Sequence, residues 1–409
     1  YKLDDLTPYL FKTTDYGENW TLITSGIEAE DFTRVIREDP TRPGLLYAGT
    51  ETGLYLSFDD GASWRRWRSN FPIVPVRDMV VKDDDLVIGT HGRSFWIFDD
   101  LAVLRQAEAG VFDASAHLFQ PEDTVRFREG VTSSPLRGQS PPGAVGANPP
   151  AGAVVWYHLK ADGQTVTLKF RDESGTEVAA FSSVADPDAV GTPRNPPPDP
   201  LSANAGLNRF AWDLRYPGPL QIPGAIYRRY DPIGPIAPPG EYTVEIRTDD
   251  YTATQSFEVL PDPRLETTQE EFDELNRFLL GVRDQITSTH ETVVRIRGLR
   301  NRIEVQISGE GVTAAAKRDG ERVARQLMII EEKLIQFRAK ATQDLINYPV
   351  RLNDKLSTLF TLVETSDSPP AAQDYELFDD LKARIAAVVA ELDDVVADTD
   401  WSGMGMEVD

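Results

Sequence analysis

One short phrase occurs twice near the start of this chain, as Thr13-Thr14-Asp15-Tyr16-Gly17-Glu18-Asn19-Trp20 and as Ser57-Phe58-Asp59-Asp60-Gly61-Ala62-Ser63-Trp64, 44 positions apart. Both copies reduce to Ser/Thr-x-Asp-x-Gly-x-(Asn/Ser)-Trp. An Asp two residues before a Gly, set between apolar runs of β type, suits a hairpin turn. The carboxylate accepts backbone N–H groups inside the turn, and Gly takes the positive φ that other residues resist. The Ser/Thr hydroxyl supports the same turn, and the Trp opens the next strand and packs its ring beneath the hairpin.

A repeat of this period matches a β-propeller blade, and residues 1–104 read as the last two to three blades of a propeller. Leu10-Phe11-Lys12-Thr13 and Leu54-Tyr55-Leu56-Ser57 run into the two phrases. Leu46-Tyr47-Ala48-Gly49-Thr50 matches Leu86-Val87-Ile88-Gly89-Thr90 at an offset of 40. A third start, Ser94 to Asp100, aligns with Leu54 to Asp60, and there Leu101 replaces the glycine and the repeat decays. So few blades cannot close a ring. The expectation is therefore that the remaining blades come from an upstream segment or another chain, because raw strand edges aggregate unless paired. The start at Tyr1 reads as a processed or truncated terminus.

Beyond the repeats, residues 105–152 read as a connector and a Gly/Pro-rich linker, the latter from Gly130 to Gly152. Residues 153–262 carry about six strand candidates separated by turns, the pattern of an immunoglobulin-like sandwich. From Thr267 the apolar period becomes helical. Thr267 with Glu270 has the form of a capping box, and Phe272, Leu275, Phe278, Leu279, Val282 and Ile286 fall on one face. Further helices are expected near 313–340, 350–365 and 371–397. Residues 266–400 thus read as an antiparallel helical bundle. The fold class is multidomain β plus α.

The chain has 409 residues and a formal net charge of −24, which argues against nucleic acid and anionic membranes as partners. With no cysteine, disulfides, thiolate metal sites and Cys nucleophiles are excluded. No apolar run approaches membrane-spanning length. No metal-ligand spacing and no cofactor motif is present: His117, His158 and His290 fall in separate expected modules.

Together the two phrases, Gly89-Thr90-His91-Gly92-Arg93-Ser94-Phe95-Trp96-Ile97, Asn208-x-x-x-Trp212-Asp213-Leu214-Arg215-Tyr216-Pro217-Gly218, Pro238-Pro239-Gly240-Glu241-Tyr242 and Asn347-Tyr348-Pro349-Val350-Arg351-Leu352 resemble the C-terminal portion of large bacterial sortilin-type BNR, or Asp-box, β-propeller proteins. Such proteins are glycosyl hydrolase-like and often described as sialidase-like. The resemblance implies a secreted, cell-surface or periplasmic protein, and a structural place for the box residues Thr13, Asp15, Gly17, Trp20, Ser57, Asp59, Gly61 and Trp64 at the blade periphery. It places no catalytic residue.

Three local groups remain as candidates. His91, Arg93 and Trp96 follow a strand end and could line a ligand face, with Trp96 as a platform; the alternative is blade core and an inter-blade turn. Tyr227, Arg228, Arg229 and Tyr230 have the composition of an interface anchor. Arg295, Arg297, Arg300 and Arg302 read as a solvated helix face or as partners for acidic helices, and Gly281 and Gly298 as places of close helix packing. The leading function is a non-catalytic binding or assembly protein with a protein or glycan ligand. The alternatives are a glycoside hydrolase of sialidase or xyloglucanase type, with its carboxylates in upstream blades, and a peptide-binding propeller.

Overall fold

The computed structural model describes residues 1–108, 110–128, 149–187, 189–191, 196–227 and 231–404. The expected linker from Gly130 to Gly152 lies largely outside these residues. The chain divides into two units, one built on Tyr1–Pro121 with Trp156–Lys160, the other mainly on residues from Ala161 onward. It is a β plus α protein of several sheets followed by helices.

The first unit begins with a two-stranded ribbon, β1 (Phe11–Lys12) and β2 (Thr21–Leu22), in which Phe11 stands opposite Leu22. Next comes a four-stranded antiparallel sheet of β3 (Thr33–Glu38), β4 (Leu46–Thr50), β5 (Leu54–Ser57) and β6 (Arg65–Trp67). A three-stranded one follows, of β7 (Val76–Lys82), β8 (Asp85–Thr90) and β9 (Phe95–Phe98). Every residue of β4 and β5 is buried, as expected of strands covered on both faces. On one face Leu46, Ala48 and Tyr55 pack with Leu10, Ile27 and Trp64. On the other, Tyr47, Leu54 and Leu56 pack with Val76, Met79, Leu86 and Ile88 of the next sheet. Leu101, at the head of the short α1 (Ala102–Gln106), closes that second core. The turn between β3 and β4 is held by Asp39, whose buried carboxylate accepts from the backbone N–H groups of Thr41 and Arg42, the Tyr47 hydroxyl and the Arg105 guanidinium.

The second and third sheets repeat each other with one correction to the sequence alignment. Gly49 pairs with Leu54 across β4 and β5, and Gly89 pairs with Phe95 across β8 and β9. The turn after Gly89 is therefore one residue longer, so Phe95 takes the place of Leu54, Trp96 that of Tyr55 and Ile97 that of Leu56. A one-residue slip moves a strand's side chains to the opposite face, which is why Trp96 points to the core and Phe95 to solvent.

Two more strands of the β-rich middle are β10 (Ala116–Leu118) and β11 (Thr124–Val125), followed by β12 (Ala153–Leu159). β10 pairs with the C-terminal half of β12. In the second unit β13 (Thr167–Asp172), β14 (Glu177–Ser182), β16 (Gly240–Arg247) and β17 (Thr252–Leu260) form a sheet in the order β11-β17-β16-β13-β14, antiparallel except for the parallel β11–β17 pair. The remaining strand, β15 (Gly206–Trp212), lies beside β12. Alternating residues of these strands bring Phe170, Trp212, Tyr242 and Phe257 into one aromatic cluster, with Phe170 stacked on Trp212 at 4.6 Å.

The four expected helices are α2 (Gln269–Ile307), α3 (Ala314–Leu334), α4 (Leu352–Glu364) and α5 (Ala372–Ala397). The capping box of α2 sits one residue later than expected, on Thr268 and Glu271. Its apolar stripe from Leu275 to Ile303 shares one core with Val323, Leu327, Leu356, Phe360, Leu381, Ile385 and Leu392. At Gly281 a Cβ would meet Phe378 of α5 at 3.6 Å, and the tightest helix contact falls at Gly320 of α3, where a Cβ would lie 2.5 Å from Ile307 Cγ2. At Gly298 nothing lies within 4 Å.

Candidate functional site

The two repeated loops carry the same hydrogen bonds. In the first, Gly17 N donates to Thr13 Oγ1 (2.8 Å), Asn19 N to Asp15 Oδ1 (2.9 Å) and Asn19 Nδ2 to Asp15 Oδ2 (2.7 Å). In the second, Gly61 N donates to Ser57 Oγ (2.9 Å), Ser63 N to Asp59 Oδ1 (2.8 Å) and Ser63 Oγ to Asp59 Oδ2 (2.5 Å). Gly17 and Gly61 have φ of 94° and 87°, the region where only glycine is free of a Cβ penalty. The backbone and side-chain N–H groups of Asn19, with the Thr13 hydroxyl, lower the Asp15 pKa to about 2. The Ser63 hydroxyl leads the same downward shift at Asp59. Both carboxylates are thus held ionised and spent on their own turns, the opposite of what a proton donor near neutral pH requires.

The loops differ at their tryptophans. Trp64 is 3% exposed and its Nε1 donates to Ile23 O at 2.6 Å, while Trp64 N donates to Ser25 O at 2.8 Å. Trp20 is 60% exposed, and its Nε1 reaches only Gly17 O of its own loop, at 3.2 Å. The segment after the first loop therefore covers the second, and among the described residues the first has no such cover.

His91 and Arg93 are exposed in the turn after β8, where Arg77 Nη2 lies 3.3 Å from His91 Nδ1. Trp96 packs edge-on to Phe71 at 5.4 Å, and its Nε1 donates to Arg93 O at 2.9 Å. The Trp96 ring is half-buried against the core between the second and third sheets, while His91 and Arg93 are exposed on the turn.

Sequence reasoning separated histidines that the fold pairs. His117 on β10 stands directly opposite His158 on β12. Burial lowers the pKa of both, and His158 Nδ1 is buried without a hydrogen-bond partner. A register between strands so far apart in sequence leaves no local signal. Among the described residues no three His, Cys, Asp or Glu side chains gather to hold a metal.

In the second unit Tyr227 faces inward, 2% exposed, so it cannot anchor an external partner; Arg228, Arg229 and Tyr230 lie outside the described residues. The Tyr227 hydroxyl lies 3.2 Å from His290 Nε2, and Asn353 Nδ2 lies 3.4 Å from the same nitrogen. His290 Nδ1 faces the Leu220 carbonyl. A carbonyl only accepts, so Nδ1 carries the proton and Nε2 accepts, which defines the neutral tautomer. Burial lowers the His290 pKa.

Three of the four arginines in the basic stripe of α2 make ion pairs, and the fourth, Arg302, is exposed. Arg297 and Arg300 both reach the buried Glu331 of α3 at 2.7 Å, and Arg295 reaches Asp393 at 2.9 Å. A polar cavity of about 410 Å³ beside Glu331 is lined by Arg297, Arg300, Asn301, Glu304 and Lys340. Arg126 and Asp367 form a buried ion pair, with Arg128 also on Asp367 at 2.7 Å.

No family model matches the chain, and no curated protein matches it. Two solved structures of the extracellular domain of BT4673 from B. thetaiotaomicron are similar in part. One is described as a one component system, at 10% identity and TM-score 0.19; the other as a hybrid two component system, at 8% identity and TM-score 0.18. Each match covers 61% of this chain, which spans only 28% of the length of either structure. Among the described residues no helix is long and apolar enough to cross a membrane.

Proposed function

We propose that this chain is a secreted, non-catalytic binding or assembly protein whose first unit belongs to a sortilin-type Asp-box propeller. The observation that carries this reading is the identical hydrogen bonding of the two loops, which spends Asp15 and Asp59 on turn structure. Repeated sheets stacked face to face, as β3–β6 and β7–β9 are, suit a scaffold that presents loops to a glycan or peptide. The Ig-like and helical segments then act as spacer and docking modules, and further blades complete the ring.

The test is a glycan and peptide panel applied to the full chain, scored for both binding and turnover. The expected result is saturable binding with no turnover. Turnover abolished by a single carboxylate substitution would overturn the reading.

A further inference from the structure

The middle sheet of the first unit is covered on both faces, whereas the third sheet is covered on one. Its outer face carries the row Val80, Val87 and Ile97, one residue from each strand in register, and beside it Gly89 and Phe95. Val80, Ile97 and Phe95 are 53%, 56% and 78% exposed. The residues in the corresponding places of the middle sheet are Tyr47 for Val87, Leu56 for Ile97 and Leu54 for Phe95, and these are 0%, 6% and 1% exposed. Arg37, in the place of Val80, is exposed as Val80 is, so Ile97 and Phe95 carry the contrast. What covers them is the third sheet itself, through Val76, Met79 and Ile88.

The glycines tell the same story independently. A Cβ on Gly49 would lie 2.5 Å from Val76 Cγ1 and 2.9 Å from Met79 Cε of the neighbouring sheet, and 2.7 Å from Val35 Cγ1 of its own. Gly89, its counterpart, meets nothing closer than 3.6 Å and needs no positive φ. Glycine in a strand interior weakens the strand, and it often marks close approach of another backbone or sheet. Gly89 occupies the corresponding point, where among the described residues only Asp78 O and the Phe95 ring of its own sheet lie near.

We propose that the outer face of β7–β8–β9, formed by Val80, Val87, Phe95 and Ile97 around Gly89, is the docking face for a further antiparallel β-sheet of the same repeat, packed as β7–β9 packs on β3–β6. The occupant presents an apolar row like Met79, Ile88 and Trp96. Among the described residues no further sheet of this repeat is present, so the occupant is a sheet from outside them and not a second copy of the chain. The matching open face within the described residues, Phe11 and Leu22 on β1–β2, is a ribbon of two-residue strands, too narrow to cover three strands. This deepens the assembly reading above by naming the contact, and it stands apart from whether any glycan or peptide binds.

The probe is a synthetic polypeptide of residues 75–101, which presents the Met79, Ile88 and Trp96 row free of its cover, titrated against the full chain. Saturable binding is expected, weakened at least tenfold by Ile97→Asp or Gly89→Val and unchanged by Leu22→Asp. No saturable binding, or binding indifferent to Ile97→Asp, overturns the proposal. So does self-association of the chain that Ile97→Asp abolishes, since it reassigns the face to a second copy. A second arm needs no probe. Ile97→Asp and Gly89→Val leave the melting temperature of the chain unchanged, while Leu56→Asp and Gly49→Val, at the covered counterparts, unfold the first unit. Equal damage at both sets of positions shows the face to be already in use and overturns the proposal.

Discussion

The indole Nε1 of Trp64 donates to the carbonyl oxygen of Ile23 at 2.6 Å, tying the second repeated loop to the strand that leaves the first. A tether from one repeat to the segment leaving the previous one is a unit of assembly, and Gly61 supports it. A Cβ on Gly61 would sit 2.6 Å from Ile23 Cδ1.

Trp64→Ala should cost the first unit about 3–5 kcal/mol, the usual penalty for emptying a buried aromatic site. Trp20→Ala, at the exposed counterpart, should stay within about 1 kcal/mol. Urea unfolding followed by circular dichroism measures both, and equal losses would show that Trp20 is covered in solution.

Acid should loosen the repeated loops in a defined window. The folded pKa of Asp15 lies at about 2, below the ordinary 3.8. Its contribution is therefore complete above the unfolded value and is lost as pH falls from near 4 toward 2. Asp59 shifts in the same direction. Amide exchange at Asn19 and Ser63, whose N–H groups bond these carboxylates, should accelerate through that range, and Asp15→Asn should abolish the pH dependence at Asn19 alone.

His290 gives the second unit a separate dependence nearer neutrality. Its folded pKa is depressed below 6.5 by burial, so its contribution is full above the unfolded value and falls away as pH drops beneath it. Protonation would turn Nε2 from acceptor to donor against Tyr227 and Asn353. Urea midpoints at pH 8 and pH 5 should differ, and His290→Gln should flatten that difference while costing about 1–3 kcal/mol at pH 8.

The Arg126–Asp367 pair should behave as a buried pair that is costly to halve. Both side chains are 3% exposed, and Arg126 also donates to Ala237 O at 2.9 Å and lies 5.0 Å from the Phe272 ring. Asp367→Leu should destabilise the second unit by about 3–5 kcal/mol, while the double replacement Arg126→Met with Asp367→Leu should recover most of the loss. Denaturant unfolding of the native chain, Arg126→Met, Asp367→Leu and their double tests this as a cycle, run also with Arg128→Leu because Arg128 shares Asp367.

The legible part of the chain was the part whose cause is local. The loop phrases carried their own donors and acceptors within a few residues, so Thr13, Asp15, Ser57 and Asp59 could be given their partners from spacing alone. The helical stripe from Phe272 to Ile303 likewise followed from its period, as burial along α2 shows. Reading failed where one residue or one register decided. The extra residue after Gly89 moved Phe95 outward and Trp96 inward, and no composition signal marks such a shift.

By itself, then, the sequence determined the turns, the strands that feed them and the apolar faces of the helices, because each depends on bonds and periods spanning a few residues. Only the tertiary structure decided which of two like tryptophans is buried, that His117 meets His158, that Tyr227 turns inward to His290, and that the Val80–Val87–Ile97 row lies open. Those outcomes depend on which distant segment arrives at a surface, and a repeated local pattern looks the same whether or not its neighbour is present.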